Sequence, residues 1–167
     1  MNKPVWELFA GGTDKSIVWV DHKPNYRFAI YIDHHAEDLV LDKETGLIWP
    51  RNANLLEQAQ NWLDSNTTCR EQKLANRIGW RLPTVEELSS LVDTRNAHPA
   101  MPTGHPFRSV QFGDGVPAYW TSTNSENPGS AAWFVNMGSG SAGLGNKSIS
   151  GFAWPVRAGR GGVNWNW

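Results

Sequence analysis

Short alternating runs of hydrophobic and polar residues predict β-strands in the first third of the chain. Residues 16–20 (Ser-Ile-Val-Trp-Val) and 27–32 (Arg-Phe-Ala-Ile-Tyr-Ile) are rich in β-branched and aromatic side chains. Two further apolar stretches, residues 39–41 and 46–49, flank Asp-Lys-Glu-Thr-Gly at 42–46, which is a turn-forming sequence. This arrangement predicts a β-hairpin.

Two helices are predicted next. The first covers about residues 55–64, with Asn54 as its cap. Its apolar residues fall on one stripe of a helix, namely Leu55, Leu56, Ala59, Trp62 and Leu63. The second helix begins at a capping box in which the Thr84 hydroxyl accepts from the Glu87 amide and the Glu87 carboxylate reaches back. It is expected to end before Ala97, because Pro99 follows.

The remaining strands are predicted at residues 118–122, 131–137 and 149–157. Between them lie two long, neutral connections, 124–130 and 138–148, which are rich in Gly, Ser and Asn. The pattern therefore predicts an α+β protein. Its two helices pack on short, mainly antiparallel twisted sheets, and its long loops lie in the C-terminal half.

Composition excludes several classes of protein. The 167 residues include 10 Trp and 16 Gly, an aromatic content that argues against disorder. No run of about 18 apolar residues is present, so no membrane insertion is expected. The 15 Lys and Arg residues nearly balance the 16 Asp and Glu residues. A chain without basic excess is not expected to bind nucleic acid through a global electrostatic attraction.

No metal or cofactor is predicted. Cys69 is the single cysteine, so it forms no internal disulfide and builds no cysteine-based zinc site. His34 and His35 are adjacent, and neighbouring side chains of a strand point to opposite faces, so the two do not readily share one ion.

Five segments carry short motifs, and the ordered set is more specific than any one motif alone. The segments are 42–49 (Asp-Lys-Glu-Thr-Gly-Leu-Ile-Trp), 80–84 (Trp-Arg-Leu-Pro-Thr), 119–123 (Tyr-Trp-Thr-Ser-Thr), 132–135 (Ala-Trp-Phe-Val) and 154–157 (Trp-Pro-Val-Arg). Together they resemble a bacterial family named for the C-terminal domain of the Lcl collagen-like adhesin. The resemblance covers residues 26–162. It leaves residues 1–25 as an N-terminal extension, expected to contain a strand packed on the domain, and 163–167 as a Trp/Asn tail.

The resemblance implies a C-type-lectin-like fold and a non-catalytic role in recognition or adhesion, with a glycan or protein surface as the partner. It suggests a secreted or cell-surface location, although no signal-peptide pattern opens the chain, so the location stays open. In the lectin-like fold, loops of the second half form the ligand face, where Asn and Ser give adaptable hydrogen bonds. The expected ligand-binding residues are Asn124, Asn127, Asn136, Ser139, Ser141, Asn146 and Lys147.

The aromatic and basic motif residues are expected to be structural. Periodicity places six tryptophans in the core, namely Trp49, Trp62, Trp80, Trp120, Trp133 and Trp154. Arg81 and Arg157 are expected to bridge carbonyls and acids such as Asp42, Glu86 or Asp93. The tail residues Trp165 and Trp167 are expected to dock on the domain or on a neighbouring subunit, which leaves a homo-oligomer open.

Two other functions remain as alternatives. The chain could be a structural or assembly subunit of a surface or phage-like particle. More distantly, the same broad fold hosts formylglycine-generating oxidases, but these use a cysteine pair and this chain has one Cys. No nucleophile-elbow, zinc-protease or phosphate-loop motif is present, so a non-catalytic protein is expected.

Overall fold

A computed structural model describes residues 19–32, 37–113, 118–126 and 129–159 of the chain. Several predictions fall outside these residues: the strand residues 16–18, the pair His34 and His35, the loop residue Asn127, and the tail from residue 160 onward. Within the described residues the fold is α+β, as predicted, with two antiparallel sheets and two α-helices.

The larger sheet contains five strands in the order β1-β2-β3-β4-β8. They are β1 (Val20–Asp21), β2 (Phe28–Tyr31), β3 (Leu39–Asp42), β4 (Leu47–Pro50) and β8 (Arg157–Ala158). The predicted hairpin is confirmed, because β3 pairs with β4 from Asp42↔Leu47 to Leu39↔Pro50. Gly46 closes its turn at φ 72°, a conformation that glycine adopts without steric cost.

A buried ion pair fixes this hairpin to the rest of the molecule. Asp42 is fully buried, and its carboxylate accepts from Arg27 Nε at 2.9 Å and from Arg27 Nη2 at 2.6 Å. The same nitrogen, Nη2, donates to the Ser90 carbonyl at 2.8 Å. Because each oxygen of the buried carboxylate has a donor, the charge is compensated in the interior.

The smaller sheet contains β5 (Tyr119–Asn124), β6 (Ala131–Val135) and β7 (Ala142–Asn146), in that order. The prediction of one loop over 138–148 is wrong, because its second half is β7, paired with β6 along five positions. The loop was predicted because Gly143 and Gly145 lie in this segment and glycine is uncommon in strands. In the structure, the Phe134 ring lies over both, 2.9 Å and 3.1 Å from where their Cβ atoms would stand.

The first helix lies further along the chain than predicted. Helix α1 spans Trp62–Glu71, and Asn61, not Asn54, caps it by accepting from the Asp64 amide. The predicted helix over 55–64 is wrong because Gln60 exchanges two backbone hydrogen bonds with Gly151, both 2.8 Å long. That long-range pairing takes Gln60 out of a helix, so the apolar stripe before it lies in turns.

The second helix begins as predicted and ends earlier. Helix α2 spans Val85–Ser89, and both halves of the Thr84–Glu87 capping box form. A short 3₁₀ helix, Leu74–Asn76, precedes it. The predicted strand over 149–157 is also mostly wrong: β8 is two residues long, and only isolated pairings occur before it, at Gly151, Phe152 and Val156.

The cores explain the tryptophan content. Trp49, Trp80, Trp120 and Trp154 are buried, as predicted, whereas Trp62 and Trp133 are half-buried. Trp49 and Trp154 lie in the main core between the sheets and α2. Trp80 packs on the outer face of the larger sheet, and Trp120 packs beneath α1. Among the described residues, no helix is long and apolar enough to cross a membrane.

Candidate functional site

A polar cleft of about 240 Å³ lies beside the end of β4. Its lining consists of two acids, an amide, a guanidinium and a hydroxyl, contributed by Glu37, Asp38, Asn52, Arg108 and Ser109. Three chain segments meet here: the start of the β3–β4 hairpin, the residues after β4, and the segment around residue 108. The last two segments pair through a parallel bridge between Asn52 and Arg108.

The carboxylate of Glu37 is held in place by a hydrogen bond from the backbone of Asn52. One of its carboxylate oxygens, Oε1, accepts from the backbone N–H of Asn52 at 2.7 Å. Burial raises the pKa of Glu37 above the ordinary carboxyl value. The hydrogen bond from Asn52 opposes that shift, neighbouring Asp38 adds to it, and Arg108 and Arg51 oppose it. The carboxylate is therefore partly desolvated and fixed in one position.

Asp38 forms the adjoining wall. Arg51 donates from Nη1 to Asp38 Oδ2 at 3.0 Å and from Nε to the Pro106 carbonyl at 3.0 Å. Asp38 and Arg51 are each only 17% exposed. This double contact connects the hairpin to the segment that carries Arg108, and so it holds the walls of the cleft together.

Arg108 supplies the cation at the mouth of the cleft. Its backbone is fixed by Arg51 and Ala53, through bonds of 2.8 Å and 2.9 Å, while its side chain is exposed. Ser109 beside it has φ 54°, a left-handed conformation that is costly for a residue with a side chain. With Arg51 counted, two carboxylates face two guanidiniums, so the charges around the cleft balance.

The predicted loop residues lie elsewhere and do not form one cluster. Asn136, Ser139 and Ser141 occupy the turn between β6 and β7, whereas Asn124, Asn146 and Lys147 lie at the opposite end of that hairpin. The five residues of β6 separate the groups by about 14 Å. Asn127 lies outside the described residues.

Much of the hydrogen-bonding capacity of these loop residues is used within their own turns. Asn136 Oδ1 accepts from the amides of Gly138 at 2.8 Å and Ser139 at 3.3 Å. Asn146 Oδ1 accepts from the amide and hydroxyl of Ser148, at 3.0 Å and 2.9 Å. These contacts are typical of Asx turns, which satisfy backbone groups locally.

Lys147 and Trp62 form a second surface feature. The Lys147 ammonium lies 4.3 Å from the centre of the Trp62 ring, within range for a cation–π interaction. The indole N–H donates to the Thr121 carbonyl at 2.7 Å. This tryptophan is therefore oriented by its hydrogen bond, and its half-exposed ring is covered in part by the lysine.

The motif arginine Arg81 is structural, as expected, but its partner differs from the expected acids. It binds both oxygens of Glu87 at 2.7 Å, and this hydrogen bond holds the pKa of Glu87 below the ordinary carboxyl value. Because Glu87 also accepts from the Thr84 amide at 2.8 Å, Arg81 supports the capping box of α2.

The deciding comparison is with protein-family models. The model of the Lcl C-terminal domain matches residues 38–157, which is most of the chain. This chain belongs to the Lcl C-terminal domain family. No curated protein matches it.

The matched part of this Lcl C-terminal domain contains Asp38, Asn52, Arg108 and Ser109, and Glu37 directly precedes it. Sequence reasoning missed the cleft. One signal was available, because a hairpin closed by residues 43–46 places position 38 opposite position 51 and so pairs an acid with a base. Nothing in the sequence pattern indicated that Arg108 would join them.

Thiol and metal chemistry receive no support from the described part of this Lcl C-terminal domain. Cys69 lies on the buried face of α1, and burial raises the pKa of its thiol to about 12. A thiol with such a pKa is protonated and poorly nucleophilic at neutral pH. No group of three or more His, Cys, Asp or Glu residues within the described ranges is placed to hold a metal ion.

Proposed function

We propose that this Lcl C-terminal domain is a non-catalytic recognition module that binds a neutral saccharide unit in the cleft beside β4. The observation that carries the proposal is the convergence of Glu37, Asn52 and Arg108 on one small space. Carboxylates accept hydrogen bonds, guanidiniums donate them and amides do both. A sugar hydroxyl needs both kinds of partner, so this set matches its chemistry.

The charge and size of the cleft narrow the ligand class. Because the acidic and basic groups balance, a strongly anionic sugar would meet two carboxylates and gains no net attraction. A volume of about 240 Å³ lies below the usual range for drug-sized ligands, which favours one terminal sugar ring of a larger glycan. Affinity per site would be modest, so repeated display would strengthen attachment.

A C-type-lectin-like fold is part of this proposal. Two antiparallel sheets, two helices and long connections in the C-terminal half support it. The burial of Cys69, which raises the pKa of its thiol, supports a non-catalytic role over the oxidase alternative. Adhesion to a glycan-bearing surface is the role that best fits a small polar cleft with balanced charges.

The proposal is tested by measuring saccharide binding on a glycan array, followed by calorimetric titration. We expect wild-type protein to bind neutral glycans, and Arg108→Ala to weaken binding about tenfold or more, since a hydrogen bond from a charged group contributes about 1.5–3 kcal/mol. Arg95→Ala is the matched control, because Arg95 is also an exposed arginine and lies outside the cleft.

Variants of the loop residues Asn146 and Lys147, measured in the same binding assay, could contradict the proposal. If Lys147→Ala or Asn146→Ala abolishes binding while Arg108→Ala does not, the ligand binds at the loops and the cleft proposal fails. A wild-type protein that binds no saccharide on the array would remove the proposed function as a whole.

A further inference from the structure

Strand β7 forms a free edge of the smaller sheet within the described residues, since the strand order is β5-β6-β7. The backbone N–H of Asn136 donates to the Ser141 carbonyl at 2.9 Å, and the backbone N–H of Lys147 donates to the Ser130 carbonyl at 3.0 Å. Antiparallel pairs alternate between bonded and non-bonded types. The N–H and C=O groups of Ala142, Leu144 and Asn146 therefore point away from β6, and among them the Asn146 carbonyl accepts from the backbone N–H of Ile149 at 3.0 Å.

This edge lacks the devices that usually prevent strand-to-strand pairing. Its sequence, Ala-Gly-Leu-Gly-Asn at 142–146, contains neither a charge nor a proline. The irregular register of this sheet lies on β5, between Trp120 and Asn124, and not on β7. The outward backbone groups of β7 thus form an uncharged row, without a bulge in its pairing with β6, that can accept another strand.

An apolar row crosses the same edge. Leu144 is 52% exposed and lies directly opposite the half-buried Trp133 of β6. On the other face, Gly143 and Gly145 carry no side chains that could obstruct a neighbour, and Phe134 covers them from inside the sheet. Covering the exposed leucine and the adjacent half-exposed tryptophan removes apolar area from water, which favours association at this edge.

We propose that β7 pairs antiparallel with β7 of a second copy of this chain, which joins the two smaller sheets into one six-stranded sheet. The register places Leu144 opposite Leu144 of the second copy, and Ala142 opposite its Asn146. Six backbone hydrogen bonds then connect the outward groups of the two strands, and in two of them the Asn146 carbonyl, which already accepts from Ile149, takes a second donor on its other lone pair. This inference is independent of saccharide binding in the cleft.

The strand itself argues for a second copy as the occupant. A two-fold axis through Leu144 matches an uncharged strand with itself, so no like charges meet. Lys147 falls opposite Ser141 of the other copy, and the two lysines stay at opposite ends of the interface. The two leucines meet at the centre and extend the Trp133–Leu144 row from one copy into the next, which buries apolar area on both sides.

The test measures the association of the full chain by sedimentation equilibrium over a wide concentration range. We expect a dimer for the wild-type chain and at least about tenfold weaker association for Leu144→Lys, which places two ammonium groups opposite each other. Leu63→Lys is the matched control, because Leu63 is also an exposed leucine, on α1, at 64% exposure against 52% for Leu144. It should dimerise as the wild type does.

Hydrogen exchange reports which strand is covered. Amides of Ala142, Leu144 and Asn146 should be protected in the wild-type dimer and exposed in Leu144→Lys, while the β6 amides stay protected in both. If Leu144→Lys disturbs the β6 amides as well, Ala142→Lys repeats the test at another exposed, outward-bonded position of the strand.

Three results would overturn the proposal. The first is a wild-type chain that stays monomeric at every concentration. The second is a dimer that survives Leu144→Lys unchanged with unprotected β7 amides. The third is a dimer that depends on residues 160–167 and not on β7, in which case the tail forms the contact.

Discussion

The cleft beside β4 and the two ends of the β6–β7 hairpin are both polar surfaces, but their side chains are used differently. In the cleft, Glu37, Asn52 and Arg108 come from three segments and face a common space. At the hairpin ends, Asn136 and Asn146 direct their acceptor oxygens at amides within three residues of themselves. The cleft gathers polar groups from separate segments in one space, and Asn52 Oδ1 also accepts from the Asn54 backbone N–H at 2.9 Å. The hairpin ends use their acceptors within single turns.

This difference shows what composition alone conveys. Asn and Ser favour turns because their short side chains satisfy nearby backbone groups. The same residues are common in binding loops for their adaptable hydrogen bonding. Position along the chain does not separate the two uses, but the other segments that surround each side chain do. Ligand binding by the seven loop residues stays a prediction, and the experiments below compare the two surfaces.

The largest expected effect comes from Arg51→Ala. The change removes both the contact with half-buried Asp38 and the contact with the Pro106 carbonyl, so the free energy of unfolding should fall by about 2 kcal/mol. Urea denaturation measures it. Arg95→Ala also removes an arginine–aspartate pair, but Arg95 is 88% exposed, so little change is expected. Equal losses in the two variants would mean that the cleft walls are not held by Arg51.

A smaller effect is expected from Asn136→Ala. Two amides of the β6–β7 turn lose their acceptor, which should lower the free energy of unfolding by about 1 kcal/mol. Asn136→Asp keeps the acceptor and should retain most of the stability. Saccharide affinity should not change in either variant. A loss of affinity without a loss of stability would place Asn136 in a binding surface instead of a turn.

Lys147→Ala should cost less still. The ammonium contact with the Trp62 ring is partly exposed, and such contacts contribute about 0.5–1 kcal/mol. Lys147→Arg preserves a cation over the ring and is expected to behave as the wild type in thermal unfolding. If Ala and Arg variants lose the same stability, the cation–π contact is not the source of the effect.

The smallest effect is the pH dependence that Glu37 adds. Because its pKa is raised on folding, the folded state holds more protons than the unfolded state just above the ordinary carboxyl pKa. Stability should therefore fall as pH rises through the folded pKa. Glu37→Gln should flatten this part of the stability–pH curve in denaturation series, and a steeper curve in Glu37→Gln would reverse the assigned direction.

Local chemistry made part of this fold predictable. The 42–46 turn, the Thr84–Glu87 capping box and the α+β class followed from residues adjacent in sequence. The prediction places helix α1 too early, because apolar residues at helical spacing already begin at Leu55. The contact that prevents a helix there joins Gln60 to Gly151, which lies far along the chain. Strand β7 was missed because two glycines lower strand propensity, and Phe134 compensates for them from a neighbouring strand.

The cleft was less predictable than the fold. Hairpin register alone pairs positions 38 and 51, so one wall could have been derived. Arg108 joins through a single bridge to Asn52, with no periodic pattern around it. Contacts of this kind arise from tertiary packing, and one sequence carries no local signal for them.

The Phe134 ring over Gly143 and Gly145 also has a practical consequence for protein engineering. Because Cβ atoms at those two positions would meet the ring, a combinatorial library in β7 is restricted to the alternate positions 142, 144 and 146. Those three side chains are exposed, but Asn146 Oδ1 accepts from Ser148, so positions 142 and 144 are the ones that can be randomised without disturbing the turn. The strand is thus a ready scaffold for display, in which the glycines keep the sheet intact while the outward residues define a new specificity.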